Sequence, residues 1–345
     1  MMKFIINGNF LTEPIMGVQR YAFEIVKELD HLIKGMDVEI AVPAVGASIP
    51  AFENIKVVQF GSRNGKKWEQ TELASYLKKT GAKGIHLCNM VPIRKTNGIV
   101  CIHDICFATH PEFFTSAGDR FEKMQRKFMY WWACRHADQI ITVSDFSRQE
   151  IRNRYHFKNN VIEVIPNAWQ HYQACEFDET IFEEFSQIKK GEYYFYLASL
   201  APNKNLNWIL KAAEKNPDSL FVLSGRPLGE KMKQDLKNVL YVGYVTDERA
   251  KALMKNCRAF LFPSIYEGFG IPPLEALCMG AEIIISNTAC LPEIYQDSAH
   301  YIDPFSDECN LKELLSQPCA PAQKVLDRFS WKKSAAKLYD IMKKM

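Results

Sequence analysis

Short runs of β-branched and aromatic residues alternate along the chain with longer segments of helical period, and this alternation narrows the accessible folds more than any other feature. Consecutive strands separated by a helix cannot pair as hairpins. They pair in parallel, with the helix as the crossover, so the fold class is α/β with doubly wound parallel sheets. The strand runs fall at 3–6, 38–42, 55–59, 84–88, 98–102, 139–143 and 161–165, and again at 193–198, 220–223, 239–242, 259–262 and 282–285. Between the first two runs, Val18, Tyr21, Ala22, Ile25, Val26, Leu29, Leu32 and Ile33 recur at steps of three and four, with Arg20, Glu24, Lys27 and Glu28 on the other face. Near the other end Trp331, Ala335, Leu338, Tyr339 and Met342 repeat the pattern, with Ser330 as a cap.

A chain of 345 residues is long enough for about two domains. The strand at 161–165 closes on Ile165-Pro166-Asn167, and residues 170–192 are polar and acidic without strand pattern, so the expected division is 1–170, a linker at 171–192, and 193–330. A hydrophobic fraction of 47% with 22 Phe, 14 Tyr and 6 Trp excludes a disordered chain. A net charge of +3 is too small for a dedicated nucleic-acid binder, and no nucleic-acid partner is expected. The ten cysteines include no Cys-x-x-Cys pair, so spacing gives no support for a structural zinc site, and they read as thiols of a reducing compartment. Phe4-Ile5-Ile6 is too short for a secretory signal, and no run reaches the ~18 apolar residues of a membrane span. The expected location is cytoplasmic, with membrane contact only peripheral. Residues 120–135 are the candidate for that contact, since Arg120, Lys123, Arg126, Lys127 and Arg135 interleave with Phe121, Met124, Phe128, Trp131 and Trp132. The plainer reading is a helix half in the core and half solvated.

The strongest chemical signal follows the strand at 259–262. There Pro263-Ser264-Ile265-Tyr266-Glu267-Gly268-Phe269-Gly270-Ile271-Pro272-Pro273-Leu274-Glu275-Ala276 reads as strand, glycine turn, helix, with Gly280 ending the helix. Such a turn opens at the carboxyl edge of a parallel sheet, where open α/β sheets bind ligands. Gly268 and Gly270 let backbone N–H groups and the positive helix end approach an anion. Glu267 and Glu275 would repel phosphate but accept hydrogen bonds from sugar or ribose hydroxyls, and a sugar nucleotide satisfies both requirements. The alternative is a plain glycine loop with Glu275 stabilising a helix start.

The Glu267-x7-Glu275 pattern within Pro-Ser-x-Tyr-Glu-Gly-Phe-Gly-x-Pro-x-Leu-Glu-Ala resembles the donor-site motif of the retaining GT-B glycosyltransferases of family 4, the mannosyltransferase-like group. The resemblance extends over nearly the whole chain. It includes Gly17-Val18-Gln19-Arg20-Tyr21, Ile102-His103-Asp104, Val143-Ser144-x-Phe146-Ser147, Val164-Ile165-Pro166-Asn167, Pro202-x-Lys204-Asn205-Leu206, Val242-Gly243-Tyr244-Val245 and Phe329-Ser330-Trp331. It implies two Rossmann-like domains facing a cleft, an acceptor-binding domain at 1–170 on which a closing helix at 331–345 packs, and a donor-binding domain at 193–330.

For individual residues the resemblance implies that Glu267 contacts the donor sugar, Glu275 the ribose, Lys204 and the Gly17 loop the diphosphate, and His103 the transferred sugar. Gly268, Phe269, Gly270, Tyr244 and Val245 belong to the donor side, and Asp104 and Ser144 to the acceptor side. The family often carries an arginine where this chain has Ser199, and Arg226 is the candidate replacement. No metal and no cofactor are expected, in keeping with the lack of an Asp-x-Asp pair. The implied reaction is transfer of a hexose, mannose from GDP-mannose first of all, to a growing bacterial surface glycan or lipid-linked acceptor. A sugar-nucleotide 2-epimerase of the same architecture and a non-catalytic nucleotide-sugar-binding module are the alternatives.

Overall fold

The computed structural model describes residues 2–157, 161–173, 176–199, 201–225, 236–306 and 310–345. They form two compact units, Met1–Asn167 together with Trp331–Met345, and Ala168–Ser330.

The first unit is built on β1 (Lys3–Asn7), β2 (Asp37–Pro43), β3 (Lys56–Phe60), β4 (Lys83–His86), β5 (Gly98–Cys101), β6 (Gln139–Thr142) and β7 (Ile162–Val164), in the order β3-β2-β1-β4-β5-β6-β7. Every pairing is parallel. Central strands covered on both faces cannot alternate apolar with polar, which is why Phe4, Ile5 and Ile6 are all buried. Gly98 is required where β5 meets β4: its φ is +91°, and a Cβ there would lie 2.1 Å from the Gly84 carbonyl oxygen. Helix Gly17–Asp30 covers one face through buried Tyr21, Ala22, Ile25, Val26 and Leu29.

Helix Trp331–Lys343 returns to this unit and packs on helix Gly17–Asp30. Trp331 is fully buried, with its ring centroid 6.2 Å from that of Tyr21. Ser334 Oγ donates to the Pro166 carbonyl at 2.7 Å, tying the helix to the exit of β7.

The second unit repeats the plan with β8 (Tyr193–Ala198), β9 (Leu220–Gly225), β10 (Val239–Tyr241), β11 (Ala259–Phe262), β12 (Ile283–Ser286) and β13 (His300–Ile302), ordered β10-β9-β8-β11-β12-β13 and parallel throughout. In both sheets the strand order reverses beside the first strand of the unit, at β1/β4 and at β8/β11. Helix Leu206–Lys215 closes one face by burying Leu206, Ile209, Leu210 and Ala213 against Tyr194, Tyr196, Phe221 and Leu223.

The chain differs from the sequence reading at two places. β13 is an additional strand; its three residues, one of them His300, are too few and too polar to read as one. Residues 171–192, expected as a linker, lie within the second unit. Ile181 and Ile188 are buried there, and Asp178 and Glu184 accept from Arg249 at 2.9 Å each. Composition marks that stretch as solvated because few of its residues, Tyr172, Ile181 and Ile188, are buried apolar anchors, and two of its acids are satisfied by an arginine far along the chain.

Trp331→Ala removes the anchor of the returning helix and is expected to cost about 3–5 kcal/mol in urea unfolding, while Lys332→Ala on the exposed face changes stability by less than ~0.5 kcal/mol. A loss below ~1 kcal/mol for Trp331→Ala would mean the helix is not anchored there.

Candidate functional site

The crevice of a doubly wound sheet opens where neighbouring strands send their loops to opposite faces, and in the second unit that point lies between β8 and β11. The two loops are stitched together. Ile265 N donates to the Asn203 carbonyl at 2.7 Å, and Asn203 Nδ2 donates to the Tyr266 carbonyl at 3.1 Å. Asn205 makes this turn possible with φ of 58°, a left-handed conformation that asparagine tolerates. The Tyr196 hydroxyl, rising from β8, donates to the Lys204 carbonyl at 3.0 Å.

These bonds bring Lys204 to Glu267. Lys204 Nζ lies 2.6 Å from Glu267 Oε1 and 5.2 Å from the centre of the Phe262 ring. Side-chain exposure is 29% for the lysine and 12% for the glutamate, so the pair is partly desolvated but the cation remains reachable. A cation and an acceptor carboxylate held side by side, at a sheet's carboxyl edge, suit a ligand that carries both anionic oxygens and hydroxyls.

The following turn is set by Gly270, whose φ of 81° precedes helix Ile271–Cys278 and whose added Cβ would come within 2.8 Å of Leu291 Cδ2. The Tyr295 hydroxyl donates to the Gly270 carbonyl, and Phe269 packs edge-on to Phe329 with ring centroids 5.2 Å apart. Pro272 and Pro273 remove two of the helix's first four amide donors, so this helix end offers fewer N–H groups to an anion than the sequence suggests. Glu275 sits in the second helical turn rather than the first. It pairs with His171, Nε2 to Oε1 at 2.8 Å, with both side chains largely buried. Burial pushes the Tyr295 hydroxyl well above its ordinary range, and the charges of Cys290, Glu275 and Glu267 add to this, so one buried hydroxyl lies within electrostatic reach of both glutamates.

Among the other donor-side residues, Ser199 is half-buried and its hydroxyl accepts from Ala201 N at 3.2 Å. Tyr244 follows β10 and is 79% exposed, whereas Val245 is buried. Arg226 lies outside the described residues.

In the first unit Gly17 is the exposed first residue of its helix. His103 leaves β5 fully enclosed: Nε2 is 2.8 Å from the Leu87 carbonyl, its amide donates to Asn89 Oδ1 at 2.8 Å, and Tyr21 packs edge-on at 4.8 Å. Burial holds its imidazole below the usual range, outweighing the opposite pull of Leu87 and Asp104, so it is a neutral ring of fixed orientation. Asp104 Oδ1 accepts from Cys106 N at 3.0 Å, a local turn. The Ser144 hydroxyl accepts from Ser147 N at 3.1 Å as the cap of helix Asp145–Arg154.

Sequence reading missed two groups. His171 lies in the stretch taken for a linker, and no local signal ties it to Glu275 across 104 residues. The other is Glu69, buried beyond the carboxyl end of β1, where it accepts from Asn7 Nδ2 at 2.7 Å. Burial raises its carboxyl to about 7, with Glu13 adding to the rise and Asn7 and Lys66 opposing it.

Residues 15–169 match the family model described as glycosyltransferase family 4, and residues 177–316 match that described as glycosyl transferases group 1. The chain is 27% identical to O-antigen chain mannosyltransferase B of Escherichia coli, over 88% of this chain and 87% of that protein. It is also 27% identical to O-antigen chain mannosyltransferase RfbU of Salmonella typhimurium, over 60% of this chain and 57% of that one. Sucrose-phosphate synthase from Thermosynechococcus elongatus shares the fold, with a TM-score of 0.75 at 13% identity, over 100% of this chain and 99% of that one.

Glu69 gives a pH signature. Its folded-state pKa is raised from 4.5 to about 7, so across that window the folded form holds more protons than the unfolded form and stability falls as pH rises. Relative to Glu69→Gln, the native protein should lose roughly 3 kcal/mol between the two ends of the window, read from urea midpoints at each pH. Parallel profiles for the two proteins would exclude a buried titrating carboxyl.

Proposed function

The chain belongs to glycosyltransferase family 4, with the two Rossmann-like domains of the GT-B fold, and we propose that it transfers mannose from GDP-mannose to a growing bacterial surface glycan or lipid-linked acceptor, with retention of configuration. The observation that carries this reading is the Lys204–Glu267 pair at the β8/β11 switch point, inside the Glu267-x7-Glu275 motif. The likeness to two O-antigen mannosyltransferases supports the choice of sugar and acceptor.

Departure of a nucleoside diphosphate places negative charge on phosphate and positive character on the sugar carbon, and catalysis has to stabilise both. Lys204 and the Gly268–Gly270 loop meet the first charge. As Lys204 turns toward phosphate it releases Glu267 Oε1, which then accepts a hydrogen bond from a hydroxyl of the sugar; until then the resting contact holds both side chains in place. Glu275, oriented by His171, holds the ribose. In the first unit, taken by itself, His103 presents a neutral imidazole of fixed orientation and the Gly17 helix start presents backbone amides. Attack comes from the face the leaving group departs, whose phosphate takes the acceptor proton, and no divalent metal is used.

Helix Ala117–His136 supports a peripheral seat on the inner face of the cytoplasmic membrane. Met129, Tyr130 and Ala133 face the core, yet Phe121, Met124, Phe128 and Trp131 form a second apolar stripe at steps of three, four and three, from 39% to 61% exposed. Lys123, Lys127 and Arg135 flank it, with the Arg135 guanidinium 4.9 Å from the Trp131 ring centre. Beside the stripe a cavity of about 520 Å³ is lined by Trp131, Trp132, Arg135, His136, His156 and Phe157. Aromatic side chains with a basic border suit an anionic bilayer surface.

Lys204→Ala and Glu267→Gln should each lower kcat/KM for mannosyl transfer by ~10²–10³, and together by much less than the product, because they act as a unit. In a thermal-shift screen of GDP-, UDP- and dTDP-sugars, GDP-mannose should raise the melting temperature most. Activity within threefold of native for Lys204→Ala would remove the lysine from the mechanism, and a larger shift with another nucleotide would reassign the donor. In co-sedimentation, vesicles rich in phosphatidylglycerol should retain the native chain and lose the Phe128→Glu/Trp131→Glu variant, whereas phosphatidylcholine vesicles should retain neither. Equal retention of both proteins on anionic vesicles would refute the stripe as the contact.

A further inference from the structure

The edge of the second unit's sheet opposite Lys204 and Glu267 carries a group of side chains that the transfer chemistry does not use. Glu282 immediately precedes β12, and His300 is the first residue of β13, paired in register with Ile284. A third segment reaches them from the loop after residue 316. Ala320 N donates to the Asp297 carbonyl at 2.8 Å and Ser298 Oγ donates to the Pro321 carbonyl at 3.2 Å, which fixes Cys319 beside the start of β13. One carboxylate oxygen, one imidazole nitrogen and one sulfur, from Glu282, His300 and Cys319, all lie within 4.8 Å of one another.

We propose that Glu282, His300 and Cys319 form a site for a single thiolate-binding divalent ion, of which zinc is the best match. The donors suit it chemically, since a sulfur, nitrogen and oxygen set selects zinc-like ions, whereas magnesium and calcium take oxygen alone. Size fits as well. Zinc bonds of ~2.0–2.3 Å in a tetrahedron separate ligand atoms by roughly 3.3–3.8 Å, and His300 Nε2 and Glu282 Oε2 already stand 3.1 Å apart. The imidazole is 3% exposed and held by the sheet, while the glutamate is 58% exposed, giving one rigid ligand and one through which an ion enters from solvent. A bare Glu–His ion pair would need no thiol beside it.

Spacings of 18 and 19 residues hide the set from any sequence motif. Three protein ligands leave the fourth position to water, but a ligand set at the amino ends of the strands is remote from the crevice at their carboxyl ends. The ion therefore acts as a clamp, joining the loop that carries Cys319 to two adjacent strands, and occupancy adds to native stability by mass action.

The full-length protein, stripped with EDTA and desalted, is titrated with Co²⁺ as the spectroscopic probe. The site requires a thiolate-to-cobalt charge-transfer band in the near ultraviolet that saturates at one equivalent and is abolished by added Zn²⁺. Cys319→Ser should remove the band, and Glu282→Gln should weaken Co²⁺ binding about tenfold or more. Zn²⁺ should raise the melting temperature of the native chain but not of Cys319→Ser, and Mg²⁺ should raise neither. Far-ultraviolet circular dichroism of Cys319→Ser guards against misfolding. No band in excess Co²⁺, or a band that survives in folded Cys319→Ser, overturns the proposal.

Discussion

The site depends on a register imposed by the sheet: β8 and β11 are neighbours in space, yet 60 residues intervene between the end of one and the start of the other. Their loops leave the same edge in different directions, and only where such loops diverge does a parallel sheet leave its carboxyl edge uncovered. The hydrogen bonds between Asn203 and residues 265–266 then convert that topological gap into fixed chemistry, because they set how far Lys204 stands from Glu267. Without the turn at Asn205 the lysine would have no defined partner, and its charge would be a mobile surface charge of little value.

Much of this was legible in the sequence because the strands of a doubly wound sheet are continuous apolar runs. All twelve expected runs overlap observed strands, and the helices at 17–30 and 331–343 follow from their 3.6-residue period. The motif from Pro263 to Glu275 was legible for a different reason: glycines, prolines and acids in fixed order describe a turn whose geometry tolerates few alternatives. Its detail was less so. The loss of amide donors at Pro272 and Pro273 matters only once the helix start is located at Ile271, and that depends on Gly270 taking a left-handed conformation against Leu291.

The residues that escaped share a cause. His171 and Glu69 take their properties from enclosure by segments far away in the chain, and enclosure leaves no local pattern. A carboxyl displaced to about 7 is made by the walls around it, and the sequence near Glu69 contains no trace of them. The same holds for the boundary of the second unit. Residues 171–192 look solvated by composition, yet Arg249, far along the chain, gathers Asp178 and Glu184 into the fold.

Helix Trp331–Lys343 has a consequence for biosynthesis. Because it completes the core over Tyr21 while the whole of Ala168–Ser330 intervenes in the chain, the second unit is in effect an insertion within the first. On the ribosome the inserted unit can finish folding while the earlier one still lacks a wall, since the side of helix Gly17–Asp30 that Trp331 covers beside Tyr21 is closed only by the returning helix. The first unit thus takes its last wall from a segment that the chain reaches only after the whole of the second unit.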